Sequence, residues 1–455
     1  MKANNETRRI VLVSVVAACL LALWLAPAAQ AKQVKLDVAL GNPVVLAGEK
    51  QTGYLRVAMK GFELDDPSQR TPVNVAIVLD KSGSMSGQKI AKAKEAAIMA
   101  IQRLRPDDIV SVVMYDHTVK VVVPATKVSD REAIFAAIRR INAGGNTALF
   151  AGVSKGAHEV RKFLDDQRVN RVILLSDGLA NTGPSSPGEL AALGESLGRE
   201  GISVTTIGLG LDYNEDLLTR LAHKSDGGHM FAEHATAVAE AFERELGAVL
   251  SVAAKDVEVV VECPEGVRPV RVLGREADVV GQTVKLSVNQ LYSKQMTYLM
   301  LEVELPPGES GERLEVAKVD VSYRNMATKS RDRLQSTVSA AFTDSRAEVK
   351  AHTDQELMMW VVREVGTERS RLAVRLRDEG KMKEARQVLR LNNEWYEYNA
   401  AQYDDEVAQR VIQHDQARND LALENLEGEK WKRQRKVMRG EQHDISYSHL
   451  LPSGS

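Results

Sequence analysis

The chain has 455 residues, 44% of them apolar and 27% charged, and its 60 Lys and Arg nearly balance 62 Asp and Glu for a net charge of −2. That length allows two to four domains of roughly 150 residues each, and the balanced charge gives no basis for nucleic acid as a main partner. The two cysteines, Cys19 and Cys263, are too few for a thiolate cluster holding zinc or iron–sulfur.

Residues 1–31 read as an export signal. Lys2, Arg8 and Arg9 make a positive start, Ile10 to Ala26 is apolar, and Ala29-Gln30-Ala31 places small residues where a signal peptidase reads. The expectation is a periplasmic or extracellular protein, membrane-attached only if this segment stays uncleaved or becomes lipidated. The apolar run falls short of the about 20 residues a membrane span needs. Val16-Ala17-Ala18-Cys19 loosely fits a bacterial lipoprotein site, but Leu20 to Ala26 continues the apolar run beyond the cysteine. After cleavage only Cys263 would remain, so an intramolecular disulfide is impossible and stability must come from packed cores.

Residues 32–70 carry two alternating runs, Val34/Leu36/Val38/Leu40 and Leu55/Val57/Met59, the pattern of half-buried strands. Asp65-Asp66-Pro67-Ser68 breaks the chain. From 71 to 250 near-continuous apolar strands (73–79, 109–115, 172–175, 202–209) alternate with helical patterns (89–104, 132–141, 148–164, 187–199, 214–223, 235–250). Around them lie an edge strand at 119–123 and a short one at 229–232. This alternation predicts a mainly parallel sheet with helices on both faces. Residues 251–345 return to alternating strands and predict a sandwich-like β domain. A two-strand piece cannot bury its own apolar face, so 32–70 is expected to complete that domain, with the α/β unit inserted between its strands. Residues 350–427 read as helical, with a hairpin turning at Gly380; the stretch LRDEGKMKEARQVL loosely resembles one tetratricopeptide unit. Residues 428–455 read as a polar, disordered tail, and the six basic residues around Trp431 between Lys430 and Arg439 as a solvated helix.

The chemistry concentrates at strand ends. VLDKSGSMSG (78–87) places Asp80, Ser82 and Ser84 just beyond the first α/β strand. Gly144-Gly145-Asn146-Thr147 lies between two helices, and Ser176-Asp177-Gly178 follows the strand RVILL. In an open parallel sheet all three loops open on the edge where ligands bind. Two carboxylates with several hydroxyls form an all-oxygen set suited to Mg²⁺, Mn²⁺ or Ca²⁺ and not to zinc. Taken singly, D-x-S-x-S also fits a turn or helix N-cap, and Asp-Gly an ordinary turn.

Asp80, Ser82, Ser84, Thr147 and Asp177, in that order, resemble the metal-ion-dependent adhesion site of the von Willebrand factor A domain. The resemblance covers about residues 73–250. IGLGLDYNEDLLTRLAHKSDGGHMF (207–231) is similar to the bacterial exported branch related to inter-alpha-trypsin inhibitor heavy chains. The family's common V-S-G-S-M departs here at Lys81, which either points away from the metal or lowers local cation affinity. The resemblance implies an α/β fold, a Rossmann-like doubly wound domain beside the β-sandwich-like domain and the C-terminal helices. It also implies a divalent cation, Mg²⁺ foremost, held by the hydroxyls of Ser82, Ser84 and Thr147, with Asp80 and Asp177 acting largely through bound water. The ion would keep an open position for a carboxylate from a partner protein, and the chain would have no catalytic residues.

Two other readings stand beside this one. In the first, the chain is a structural or assembly scaffold that needs no metal. In the second, Asp80 is the nucleophile of a metal-dependent phosphohydrolase, although Ser82 stands where that chemistry expects a second carboxylate. Other motifs offer less. His117, His158, His223 and His229 lack metal-ligand spacing; Asp116-His117 has no serine elbow; Gly208-Leu209-Gly210 lacks the third glycine of a dinucleotide site.

Overall fold

The computed structural model describes residues 33–64 and 70–448. The export-signal reading of 1–31 and the break at Asp65-Asp66-Pro67-Ser68 lie outside them. β1 (Lys35–Leu40), β2 (Val44–Leu46) and β3 (Gln51–Lys60) come first. The α/β unit follows: β4 (Val73–Asp80), α1 (Gln88–Gln102), β5 (Ile109–Tyr115), β6 (Val119–Lys127), α2 (Arg131–Arg139), α3 (Leu149–Arg161), β7 (Val169–Ser176), α4 (Pro187–Arg199), β8 (Ile202–Leu209), α5 (Glu215–Lys224), β9 (His229–Ala232) and α6 (Ala237–Val249).

The α/β sheet runs β6-β5-β4-β7-β8-β9, parallel except for β6, which is antiparallel to β5. Every residue of β4 is buried because both faces are covered. Val73, Val75, Ile77 and Leu79 pack with residues of α1, α2 and α6. Ala76 and Val78 pack with residues of α3, α4 and α5 on the other side. Successive strand side chains point to opposite faces, so one apolar run feeds two cores. β4 is the first strand of the unit yet sits between β5 and β7, so the winding direction reverses beside it. A crevice opens at the carboxyl ends of the strands at such a reversal.

β10 (Val252–Glu262), β11 (Arg268–Leu273), β12 (Asp278–Val280), β13 (Thr283–Tyr292), β14 (Met296–Leu305), β15 (Arg313–Asn325) and β16 (Arg331–Thr343) complete the β structure. They join the N-terminal strands in two sheets, β1-β3-β14-β11 and β12-β13-β10-β15-β16-β2. β3 pairs antiparallel with β14 from Gln51↔Leu305 to Lys60↔Met296. Leu55, Val57, Met59, Leu299, Leu301 and Val303 from one sheet share a core with Val257, Val259, Val261, Val319 and Val321 from the other. The three-residue strands β2 and β12 are too short to show an alternating pattern in the sequence.

The helices α7 (Arg346–Ala351), α8 (Gln355–Asp378), α9 (Met382–Ala400), α10 (Glu406–Glu424) and α11 (Gly428–His443) follow. Asp354 caps α8 by accepting the Leu357 N–H at 2.9 Å, and Gly380, at φ +79°, makes the turn into α9. Leu357, Trp360 and Val361 of α8 cover Ala58, Tyr298 and Met300 on the outer face of the first sheet.

The sequence expectation of a disordered tail over 428–455 fails for residues 428–448, and residues 449–455 lie outside the described residues. Residues 428–443 form α11, and 444–448 a short π-helical turn. The helix is docked rather than solvated. Trp431 and Met438 are buried with Val374, Leu389 and Leu426. Four of its basic residues have acidic partners on the α/β unit, and one of them also reaches α8. Arg435 pairs with Glu215, Asp216 and Asp378. Arg439 meets Asp216 at 2.9 Å, and Arg433 meets Glu233 at 2.7 Å. Lys436 is buried, donating to Glu215 at 2.6 Å and to the Tyr213 carbonyl at 3.0 Å. Composition alone suggested a charged tail; complementary charges, most of them 200 or more positions away in the chain, fix it.

Candidate functional site

Parallel register sets the site. Asp80 stands level with Tyr115 across β4 and β5, and Leu79 with Leu175 across β4 and β7. Asp80, Tyr115, Ser176 and Asp177 therefore emerge at one edge, at the winding reversal. Asp80 is fully buried. One carboxylate oxygen accepts the Ser82 N–H at 2.8 Å. The other accepts the Ser176 hydroxyl at 2.9 Å and the Tyr115 hydroxyl at 3.3 Å. Burial raises its pKa above the usual carboxylate range and Asp177 adds to the rise, while the bonds from Ser82 and Ser176 oppose it.

After Asp80 the chain turns through a 3₁₀ turn, Gly83–Met85, anchored by the buried Met85. Ser82 Oγ and Ser84 Oγ lie 3.1 Å apart. Ser84 donates to Asp177 Oδ1 at 2.6 Å, and Lys89 Nζ reaches Asp177 Oδ2 at 2.5 Å. Asp177 itself is fully buried.

Backbone bonds tie the three loops together. The Gly144 N–H donates to the Lys81 carbonyl at 2.6 Å, and the Gly83 N–H to the Gly145 carbonyl at 2.9 Å. The Thr147 N–H donates to Asn181 Oδ1 at 2.8 Å, and the Thr147 carbonyl accepts the N–H of Asn181 at 3.1 Å. Gly145 has to be glycine: its φ is +88°, and a Cβ there would fall 2.7 Å from Asp116 Oδ2 and 2.5 Å from His117 Nδ1. A Cβ on Gly178 would lie 3.4 Å from Thr147 Oγ1 and 3.5 Å from Ser84 Oγ, so those hydroxyls approach one point from two loops.

Lys81 turns away from these oxygens. Its ammonium pairs with Asp116 and donates to the Gly144 carbonyl at 3.3 Å. Burial works against the charge on Asp116, yet the bonds from Lys81 and Thr118 hold its pKa at about 2. Lys81 therefore staples the first loop to the second. The other family expectation, that it lowers cation affinity, is not needed to explain its presence.

All five sequence-predicted residues share this edge. The sequence reading missed their supports: Tyr115 and Ser176 on Asp80, Asn181 on Thr147, and Lys89 on Asp177. Ser176 could have been found, since it directly precedes Asp177 at a strand end. Lys89 looked like one more polar position of α1. Of the four histidines weighed, His229 is buried against Thr206 and Tyr213, and no group of three or more His, Cys, Asp or Glu able to hold a metal exists among the described residues.

The donor set decides what would fit here. It is oxygen only. Among the described residues the Thr147 hydroxyl makes no hydrogen bond, and its oxygen stays open to solvent at this edge. A hard divalent cation matches such a set.

The von Willebrand factor type A domain family matches residues 74–244, the span that holds all five residues. The chain contains a von Willebrand factor type A domain. Over 190 residues it is 35% identical to an uncharacterized protein of Synechocystis, sll0103, covering 42% of this chain and 44% of that protein. Over 169 residues it is 29% identical to inter-alpha-trypsin inhibitor heavy chain H3 of the rat, covering 34% of this chain and 18% of the relative. The match thus spans less than half the length of these relatives. Among solved structures, a von Willebrand factor type A protein from Catenulispora acidiphila superposes with a TM-score of 0.69 at 15% identity, over 94% of this chain and all of that one. The ArnB paralog VWA2 from Sulfolobus acidocaldarius superposes with a TM-score of 0.61 at 17% identity, over 92% and 99%. At those identities the likeness is one of fold, and it extends across the β domain and helices as well as the A domain.

Proposed function

We propose that this is an exported protein that binds a protein partner through a divalent cation, Mg²⁺ foremost, held at the edge formed by Asp80, Ser82, Ser84, Thr147 and Asp177. Von Willebrand factor type A domains support protein–protein interaction and adhesion. The observation that carries the finer reading is the division of labour among the five residues. The two carboxylates are buried and engaged by hydroxyl, amide and ammonium donors. The groups left to face an ion are neutral hydroxyls. Hydroxyls can hold a cation without cancelling its charge, and bound water can relay the two carboxylates. The bound ion supplies an uncancelled positive charge and an open position, which suits a carboxylate offered by a partner.

The same geometry argues against Asp80 as a phosphohydrolase nucleophile. Both of its oxygens accept hydrogen bonds, and burial removes it from solvent. We therefore read the chain as a binding protein without an enzymatic activity of its own. Export rests on the sequence of residues 1–31. No helix among the described residues is long and apolar enough to cross a membrane.

Calorimetric titration with Mg²⁺, Mn²⁺ and Ca²⁺, beside Asp80→Ala, tests the reading. Binding by the native chain that is lost in the variant is the expected result. No binding of any of the three by the native chain would favour the scaffold reading.

A further inference from the structure

Asp177 is fully buried at the end of β7, and each of its oxygens has one donor, Ser84 at 2.6 Å and Lys89 at 2.5 Å. Lys89 is a poor choice on local grounds. It occupies the second position of α1, where the helix dipole disfavours a cation. Its place is nonetheless built. The chain leaves β8 through Gly210 at φ +76°, and a Cβ there would stand 3.8 Å from the Lys89 ammonium. The ammonium therefore sits among α1, the end of β7 and the end of β8, about one-third exposed. The second lysine of this edge, Lys81, is spent on Asp116 and does not reach Asp177.

We propose that Lys89 is a positioning residue that sets how tightly this edge holds a divalent cation and makes that grip depend on an incoming carboxylate. The inference rests on the cation-site reading above. Lys89 acts in two ways. It fixes Asp177 Oδ2, so that the carboxylate cannot swing both oxygens toward an ion near Ser84. It also adds a positive charge beside the ion, and like charges at such range oppose binding. A carboxylate arriving at the open position meets two positive charges, the ion and the ammonium, and offsets the repulsion between them. The cation alone is then held weakly, and cation with carboxylate is held more strongly than the sum of the two.

The test uses the full chain with Mn²⁺, free ion being read by electron paramagnetic resonance, with and without acetate as the carboxylate probe. Native protein, Lys89→Met and Lys89→Arg are compared, with thermal melts recorded for each. Lys89→Met is expected to bind Mn²⁺ about tenfold more tightly than native protein and to be strengthened less by acetate than native protein is. Lys89→Arg, which keeps the charge, is expected to behave like native protein. Equal or weaker binding by a normally melting Lys89→Met, with native protein binding, overturns the role of Lys89 and leaves the cation site standing. Absence of binding in both overturns the cation site itself, and the Lys89 inference with it.

Discussion

Replacing Arg171 with methionine should cost the protein about 4 kcal/mol. Arg171 lies on β7 and is fully buried, yet its guanidinium leaves the α/β unit. It donates to Gln290 at 2.5 Å and Tyr292 at 2.8 Å on β13, and to Thr205 at 3.1 Å on β8, with Glu245 of α6 at 3.4 Å. Removing one partner of a buried ion pair costs about 3–5 kcal/mol, because the other charge stays behind. The two acceptors on β13 lose a donor, at about 1 kcal/mol each, and the buried methionine stem returns about 1–2 kcal/mol. Urea unfolding followed by circular dichroism measures the sum. Arg171→Met with Glu245→Gln removes the stranded charge and should recover about half of the loss. A loss below about 1 kcal/mol, or a double variant no more stable than the single one, would show that this contact does not hold the A domain to the β domain.

Three further outcomes are expected. Gly145→Ala forces a side chain onto Asp116 and His117 at a backbone angle that costs about 1–3 kcal/mol; calorimetry should show Mn²⁺ affinity at least about tenfold weaker, with secondary structure retained. His229 is buried and its pKa is lowered to about 4 from 6.5, so it stays neutral in the fold while the unfolded chain takes up a proton. Stability should therefore fall as pH drops from 6.5 to 4, by up to about 3 kcal/mol from this residue, and His229→Gln should flatten that part of a stability–pH curve. The buried pair His223 and His443 is shifted in the same direction and adds to the slope. Lys436→Met removes a buried donor from Glu215, and scanning calorimetry should show a loss of about 1–3 kcal/mol; no change would mean that the Lys436–Glu215 contact does not help hold α11.

Much of this architecture is legible from short-range pattern. Short, mostly apolar runs such as VNVAIVLD, alternating with helical patterns, read as strands buried on both faces, and Asp80, Ser82, Ser84 and Asp177 stand at or just beyond the ends of two of them. The reach of long side chains is not legible. Lys81 and Lys89 are both lysines near Asp80 in sequence, yet one ties two loops together and the other holds a carboxylate. Spacing cannot tell these apart, because four rotatable bonds separate the charge from the backbone. The tail fails for a related reason. Lys430 to Arg439 looks solvated until Glu215, Asp216 and Glu233 are placed opposite it, and only the fold brings them there. Composition records how much charge a segment has and nothing of what faces it.

The A domain enters and leaves through different sheets. It departs after β3, inside β1-β3-β14-β11, and returns into β10, inside the other sheet. A partner pulling on the loops at Asp80 therefore draws on two anchorages at once. β3 is flanked by β1 and β14, and β10 by β13 and β15. Neither anchor is an edge strand that could peel away one hydrogen bond at a time. Tension is divided between the two leaves of the sandwich and resisted along whole ladders, as in a rope made fast to two cleats.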